Sequence, residues 1–177
     1  LATTVTGLAT VSGGTYTAST ATQTFNGALT VSGGTYTASS GAVSTTTLTI
    51  SSGTFTASSG TVTATSLTVS GGTFTGSSGT VDVNGAVEIS SGTFTAPSSS
   101  GTLTISGDFT HSGGTFTHNS GTVALDGSDQ TLSGSTTFYN LTKTVTTART
   151  LTFPASSTQT IAGTMTMQGA SGALLSL

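Results

Sequence analysis

Few residues in this sequence have side chains able to do chemistry. His111 and His118 follow Asp108 closely. Two imidazoles at strand spacing suggest a metal site, but zinc chemistry needs a third protein ligand, and none can be identified. Two other readings stay open: neutral imidazoles hydrogen-bonded to backbone, or a strand that flips here and exposes them. Asp126-Gly127-Ser128-Asp129 offers oxygen ligands for calcium, yet it is short and has no further carboxylate. Asp-Gly is first of all a turn signal, so a turn is expected. Lys143 and Arg149 are the only basic residues. They are read as solvated charges that discourage unwanted edge pairing.

Acid–base work or metal-assisted elimination draws on clustered groups of suitable pKa. The only acids are Asp82, Glu88, Asp108, Asp126 and Asp129, and both basic residues come after all of them. Serine is too frequent to specify a Ser-His-Asp arrangement. The sequence therefore predicts no enzyme, no catalytic or metal-binding residue and no cofactor. Charged residues make up 4% of the chain and the net charge is -3. That balance leaves no electrostatic footprint for nucleic acid or an anionic membrane surface. No apolar run is long enough to insert into a membrane as a helix. With no cysteine, disulfides and thiolate metal sites are unavailable, as suits an exported bacterial protein. The chain starts at Leu1 without an initiator Met and stops within an apolar segment at Leu177. It is read as a mature product or a piece of something longer.

What must position these residues is a repeat. Thr-aromatic-Thr triplets centred on Tyr16, Tyr36, Phe55, Phe74, Phe94 and Phe116 recur at steps of 20, 19, 19, 20 and 22 residues, each preceded by Gly. A step in this range marks stacked units, each burying its apolar face against its neighbours. Thr, Val, Ser and Gly, alternating at period two, suit strands and turns rather than helices. The expected fold is an all-β solenoid with roughly triangular coils of about 19–22 residues, three short strands to a coil. Regular coils span residues 1–127; residues 128–177 continue the solenoid in divergent coils, after the Gly-Thr-Phe-Thr cassette is lost.

Alternation assigns the sides. Leu48, Ile50, Phe55, Ala57, Val62 and Ala64 point inward in one coil, as do Leu67, Val69, Phe74, Gly76, Val81 and Val83 in the next and Leu29, Val31, Tyr36, Ala38, Val43 and Thr45 in the one before. Tyr16, Tyr36, Phe55, Phe74, Phe94 and Phe116 form one internal ladder. Outward threonines form two ranks, Thr15, Thr35, Thr54, Thr73, Thr93 and Thr115 beside Thr17, Thr37, Thr56, Thr75, Thr95 and Thr117. Corner glycines are expected to supply positive φ. The extra residues around Ala96-Pro97-Ser98-Ser99-Ser100 are expected to bulge at a corner, leaving Leu103 and Ile105 inside. In the fifth coil the same register turns His111 and His118 inward.

The runs Gly121–Thr131, Thr137–Thr144 and Ser157–Thr164 resemble a module of very large, repeat-rich bacterial surface proteins, β-solenoids akin to adhesins of the filamentous-haemagglutinin type. The resemblance is close over the last third and stylistic over the Thr-rich coils. It implies an extracellular, cell-surface location and a structural or adhesive role, and transfers no catalytic residue. The expected function is a structural unit of a bacterial surface fibre, sheath or stalk, whose partners are further copies or the neighbouring repeats of a longer chain. Stacking end to end or packing through the Thr ranks would build it. An alternative is ice binding by the Thr ranks, which resemble the Thr-X-Thr surfaces of insect antifreeze solenoids. Another is the stalk of an adhesin for a surface polysaccharide. Only one of the adjacent Phe138 and Tyr139 can face outward as a sugar platform.

Overall fold

Short β-branched and aromatic runs punctuated by Gly and Ser form strands that cannot bury two faces alone, so they stack. In the computed structural model, which describes residues 1–177, twenty-two strands and no helix make a β-solenoid of about eight parallel stacked coils. Three faces run along it. The aliphatic face includes Ala9–Val11, Leu29–Val31 and Phe109–His111, with Leu48 to Ile50, Leu67 to Val69 and Val87 to Ile89 between them. The aromatic face carries the Thr-aromatic-Thr triplets. The third face begins at Thr3–Val5 and Gln23–Phe25 and continues through Val81–Val83 and Thr102–Ile105.

Residues stack like on like. Val62 pairs with Val43 and Val81, and Phe74 with Phe55 and Phe94. All the inward positions expected in the three template coils are buried, and all of them except Thr45 and Gly76 belong to a continuous hydrophobic core of 31 buried residues. Each large buried side chain contributes roughly 1.5–3 kcal/mol toward the cost of ordering the chain. Thr45 is tolerated inside because its hydroxyl donates to Gly27 O and Thr47 O, both at 3.1 Å. Extra residues fall at corners: the turn between Val83 and Val87 takes one more residue than the turn between Ala64 and Leu67 beneath it, and the Ala96–Ser100 bulge leaves Leu103 and Ile105 buried.

The glycine expectation needs correcting. Gly14, Gly92 and Gly114 do adopt positive φ, but Gly34, Gly53 and Gly72 do not. At Gly53 a Cβ would run into Gly34 O of the coil beneath and lie 2.7 Å from Val31 Cγ1. Close stacking of one coil on another is what demands glycine there.

Parallel pairing continues across Gly127 on the aliphatic and third faces, while on the aromatic face Thr136–Phe138 pairs only with Gln159–Ile161 in a sheet of its own. Phe109 pairs with Leu132, Val123 with Leu141, and Leu141 with Met165. On the aromatic face the parity changes. Thr136–Phe138 turns Thr136 and Phe138 inward and Thr137 outward, so a strand with two inward residues follows strands with one.

Candidate functional site

The most ordered surface feature is the double rank of threonines. Thr15, Thr35, Thr54, Thr73, Thr93 and Thr115 are register partners in sequence, as are Thr17, Thr37, Thr56, Thr75, Thr95 and Thr117. Strand geometry sets the two ranks about 7 Å apart and successive coils about 4.8 Å apart. All twelve are half-buried or exposed. Threonine side chains make hydrogen bonds at Thr45, Thr47, Thr122 and Thr136, and at none of these twelve.

An aromatic ladder runs beneath them. Ring centroids from Tyr36 through Phe55, Phe74 and Phe94 to Phe116 are spaced 4.9, 5.4, 4.6 and 5.6 Å, with interplanar angles of 2°, 3°, 10° and 13°. The two ends differ from the expected interior placement. Tyr16, in the first described coil, stacks on Tyr36 at 5.2 Å but is exposed, and its hydroxyl donates to Gln23 Oε1 at 2.9 Å. Phe116 is half-buried, and the ladder passes to Phe138, tilted 59° to it. The other two faces carry acids at their outward centres, Glu88 on the aliphatic face and Asp82 on the third.

Both terminal coils open onto apolar mouths. Val5, Val11, Tyr16, Phe25 and Leu29 line one; Met167, Ala173, Leu174, Leu175 and Leu177 line the other. No protein-family model, curated protein or solved structure matches this chain.

The titratable residues are dispersed. His111 takes the place of Ile89 in the coil beneath, half-buried, with Nδ1 3.0 Å from Thr136 Oγ1. His118 follows Thr117 where Ala96 follows Thr95, but it does not enter the core. The chain turns at Asn119 and Ser120, with φ of 49° and 55°. There His118 Nδ1 accepts from Ser120 N at 3.0 Å, and the ring lies 5.5 Å from that of exposed Tyr139. The expectation of two inward imidazoles therefore holds only in part. No group of three metal-ligating side chains forms. Phe138 is buried, leaving Tyr139 as the outward one of that pair.

Lys143 overturns its expected place in solvent: it is fully buried. It occupies an inward position on the third face, two residues after buried Leu141. Its Nζ donates to Gly127 O and Ser128 O, each at 3.0 Å, and to Gln130 Oε1 at 2.6 Å. Gln130 in turn donates to Ile105 O at 2.9 Å and Gly107 O at 2.6 Å. Burial pulls the ammonium below the ordinary lysine range; Asp126 and Asp129 oppose that shift and Arg149 adds to it. The turn at Asp126–Asp129 thus already holds a cation of the chain's own. Arg149 is half-buried and donates to the adjacent Ala148 O at 3.3 Å.

The remaining acids clamp corners. Asp108 Oδ1 accepts from Thr131 N, and Asp129 Oδ1 from Thr150 N, both at 2.8 Å. Asn140 Oδ1 accepts from Thr164 N at 2.9 Å. Each ties one coil to the next. Sequence reading missed these clamps and the Gln130–Lys143 pair, although alternation from Leu132 and Leu141 puts both partners on the inside.

Proposed function

We propose that this chain is a rod segment of an extracellular bacterial fibre, sheath or stalk, extended by coils of a neighbour. The observation that carries this reading is the matching of the two ends. Thr3–Val5, Ala9–Val11 and Thr15–Thr17 start the third, aliphatic and aromatic faces. Met165–Gln168 and Leu175–Ser176 end the third and aliphatic faces through their pairing with earlier strands, and Gln159–Ile161, paired with Thr136–Phe138 in a separate two-stranded sheet, ends the aromatic face where Phe138 packs against Phe116. Each of these strands leaves one edge free to pair, over an apolar mouth. A coil from another copy, or from adjoining repeats of a longer chain, would extend all three sheets and cover the exposed carbon. Head-to-tail contacts of this kind do not close, and build filaments. The resemblance to repeat-rich surface solenoids supports the same role and location.

Sedimentation velocity across a concentration series, with negative-stain electron microscopy of the same samples, tests self-stacking. Growth into filaments one solenoid wide is expected. A fixed 17.1 kDa species at every concentration would exclude it and leave the stalk of a longer chain.

A further inference from the structure

Beyond a scaffolding role, we propose that the double threonine rank binds the surface of crystalline water. A crystal face is recognised by matching two periods at once on a rigid surface, since each matched group contributes little and many must act together. Here the two periods are about 4.8 Å and about 7 Å, repeated over six coils in unbroken register. They lie close to the repeats of a prism face of hexagonal ice.

Register alone would not suffice, because ordinary sheets twist by roughly 20–25° from strand to strand and would carry the ranks out of plane. Here the like-on-like ring ladder favours a straight stack, since the rings from Tyr36 to Phe116 keep centroid spacings of 4.9, 5.4, 4.6 and 5.6 Å and interplanar angles of 2°, 3°, 10° and 13°. Threonine is restricted at χ1, so fixing its methyl and hydroxyl on binding has a small ordering cost. The twelve hydroxyls are not engaged by the protein and are free for lattice water. The triplets carry no charge, so no ion must be desolvated, whereas Glu88 and Asp82 interrupt the other two faces. The second inward residue at Thr136–Phe138 ends the array, leaving a single outward Thr137.

The test is thermal hysteresis and ice-crystal shaping by the purified chain, with two paired variants. Thr37→Lys/Thr73→Lys places charges on the double rank; Thr30→Lys/Thr68→Lys places them at outward positions of the aliphatic face. Circular dichroism and the melting temperature establish that both variants fold. Expected are faceted crystals and hysteresis for the unaltered chain, their loss in the first variant and their retention in the second. Three results overturn the proposal: no shaping or hysteresis by the unaltered chain, equal loss in both variants, or hysteresis that survives Thr37→Lys/Thr73→Lys. Should the unaltered chain lack hysteresis but self-associate in a way the first variant abolishes, the face belongs to a second copy.

Discussion

The coils from Leu29 to Ile105 and those beyond Gly127 solve one problem by different means. In the first region inward side chains are almost all carbon, stacked like on like, and glycines let corners of successive coils touch. In the second, Gln130, Thr136 and Lys143 are buried among the apolar residues, and Asp129, Asn140 and Ser135 reach across corners to backbone N–H groups. A stacked coil needs a filled axis and satisfied corners. Repetition supplies both through a few residue types; without it, side-chain hydrogen bonds take over. The cost is that each polar group inside must find its partners.

Breaking the ladder should have the largest effect. Phe74 is fully buried between two parallel rings, so Phe74→Ala should lose about 3–5 kcal/mol, with hydrogen exchange rising in the coils on either side. Phe116, half-buried where the stacking gives way to Phe138, should lose about half as much on the same change. Equal losses in urea unfolding would mean that the ladder does not concentrate stability in the regular region.

Lys143 is the corresponding point in the second region. Lys143→Ala leaves three acceptors unpaired and a cavity, and should lose about 3 kcal/mol. Lys143→Met should lose less, since it fills the space and removes a buried charge. The titration has a definite sign. The folded pKa is lowered, so between it and the unfolded value of about 10.4 the unfolded chain holds a proton that the folded chain has released. Stability therefore rises with pH across that window. Urea midpoints measured from neutral pH to pH 10 should climb in the unaltered chain and lose that climb in Lys143→Met.

How far the sequence could be read follows the same division. Period-two alternation and a nearly fixed step specify coils, faces, the ladder and the Thr ranks, because each coil repeats its neighbour's solution. The first described coil is less legible: Tyr16 has the type and spacing of a core residue and is exposed. Lys143 has the charge of a surface residue, yet its parity with Leu141 points inward. The clamps at Asp108, Asp129 and Asn140 span 21 to 24 residues, and their partners are backbone groups that leave no mark in sequence. His118 departs from its register because positive φ at Asn119 and Ser120 turns the chain away, and neither is a glycine that would announce it.

The smallest change sharpens the comparison from the other side, by finding the one polar flaw in the carbon-filled region. Tyr36 Oη is buried without a hydrogen-bond partner, although the ring stacks at 4.9 Å on Phe55 in nearly parallel planes. Burial, with a lesser contribution from Tyr16, pushes its phenol well above the ordinary tyrosine range. Above pH 10, then, the unfolded chain ionises at this residue while the folded chain does not, and stability falls. Tyr36→Phe keeps the ring and removes the hydroxyl, as the next coils already do. It should raise stability by about 1 kcal/mol at neutral pH and flatten the decline above pH 10, both read from urea midpoints. A loss of stability on this change would show that the hydroxyl is satisfied, and that the regular coils, like the divergent ones, depend on a polar contact inside.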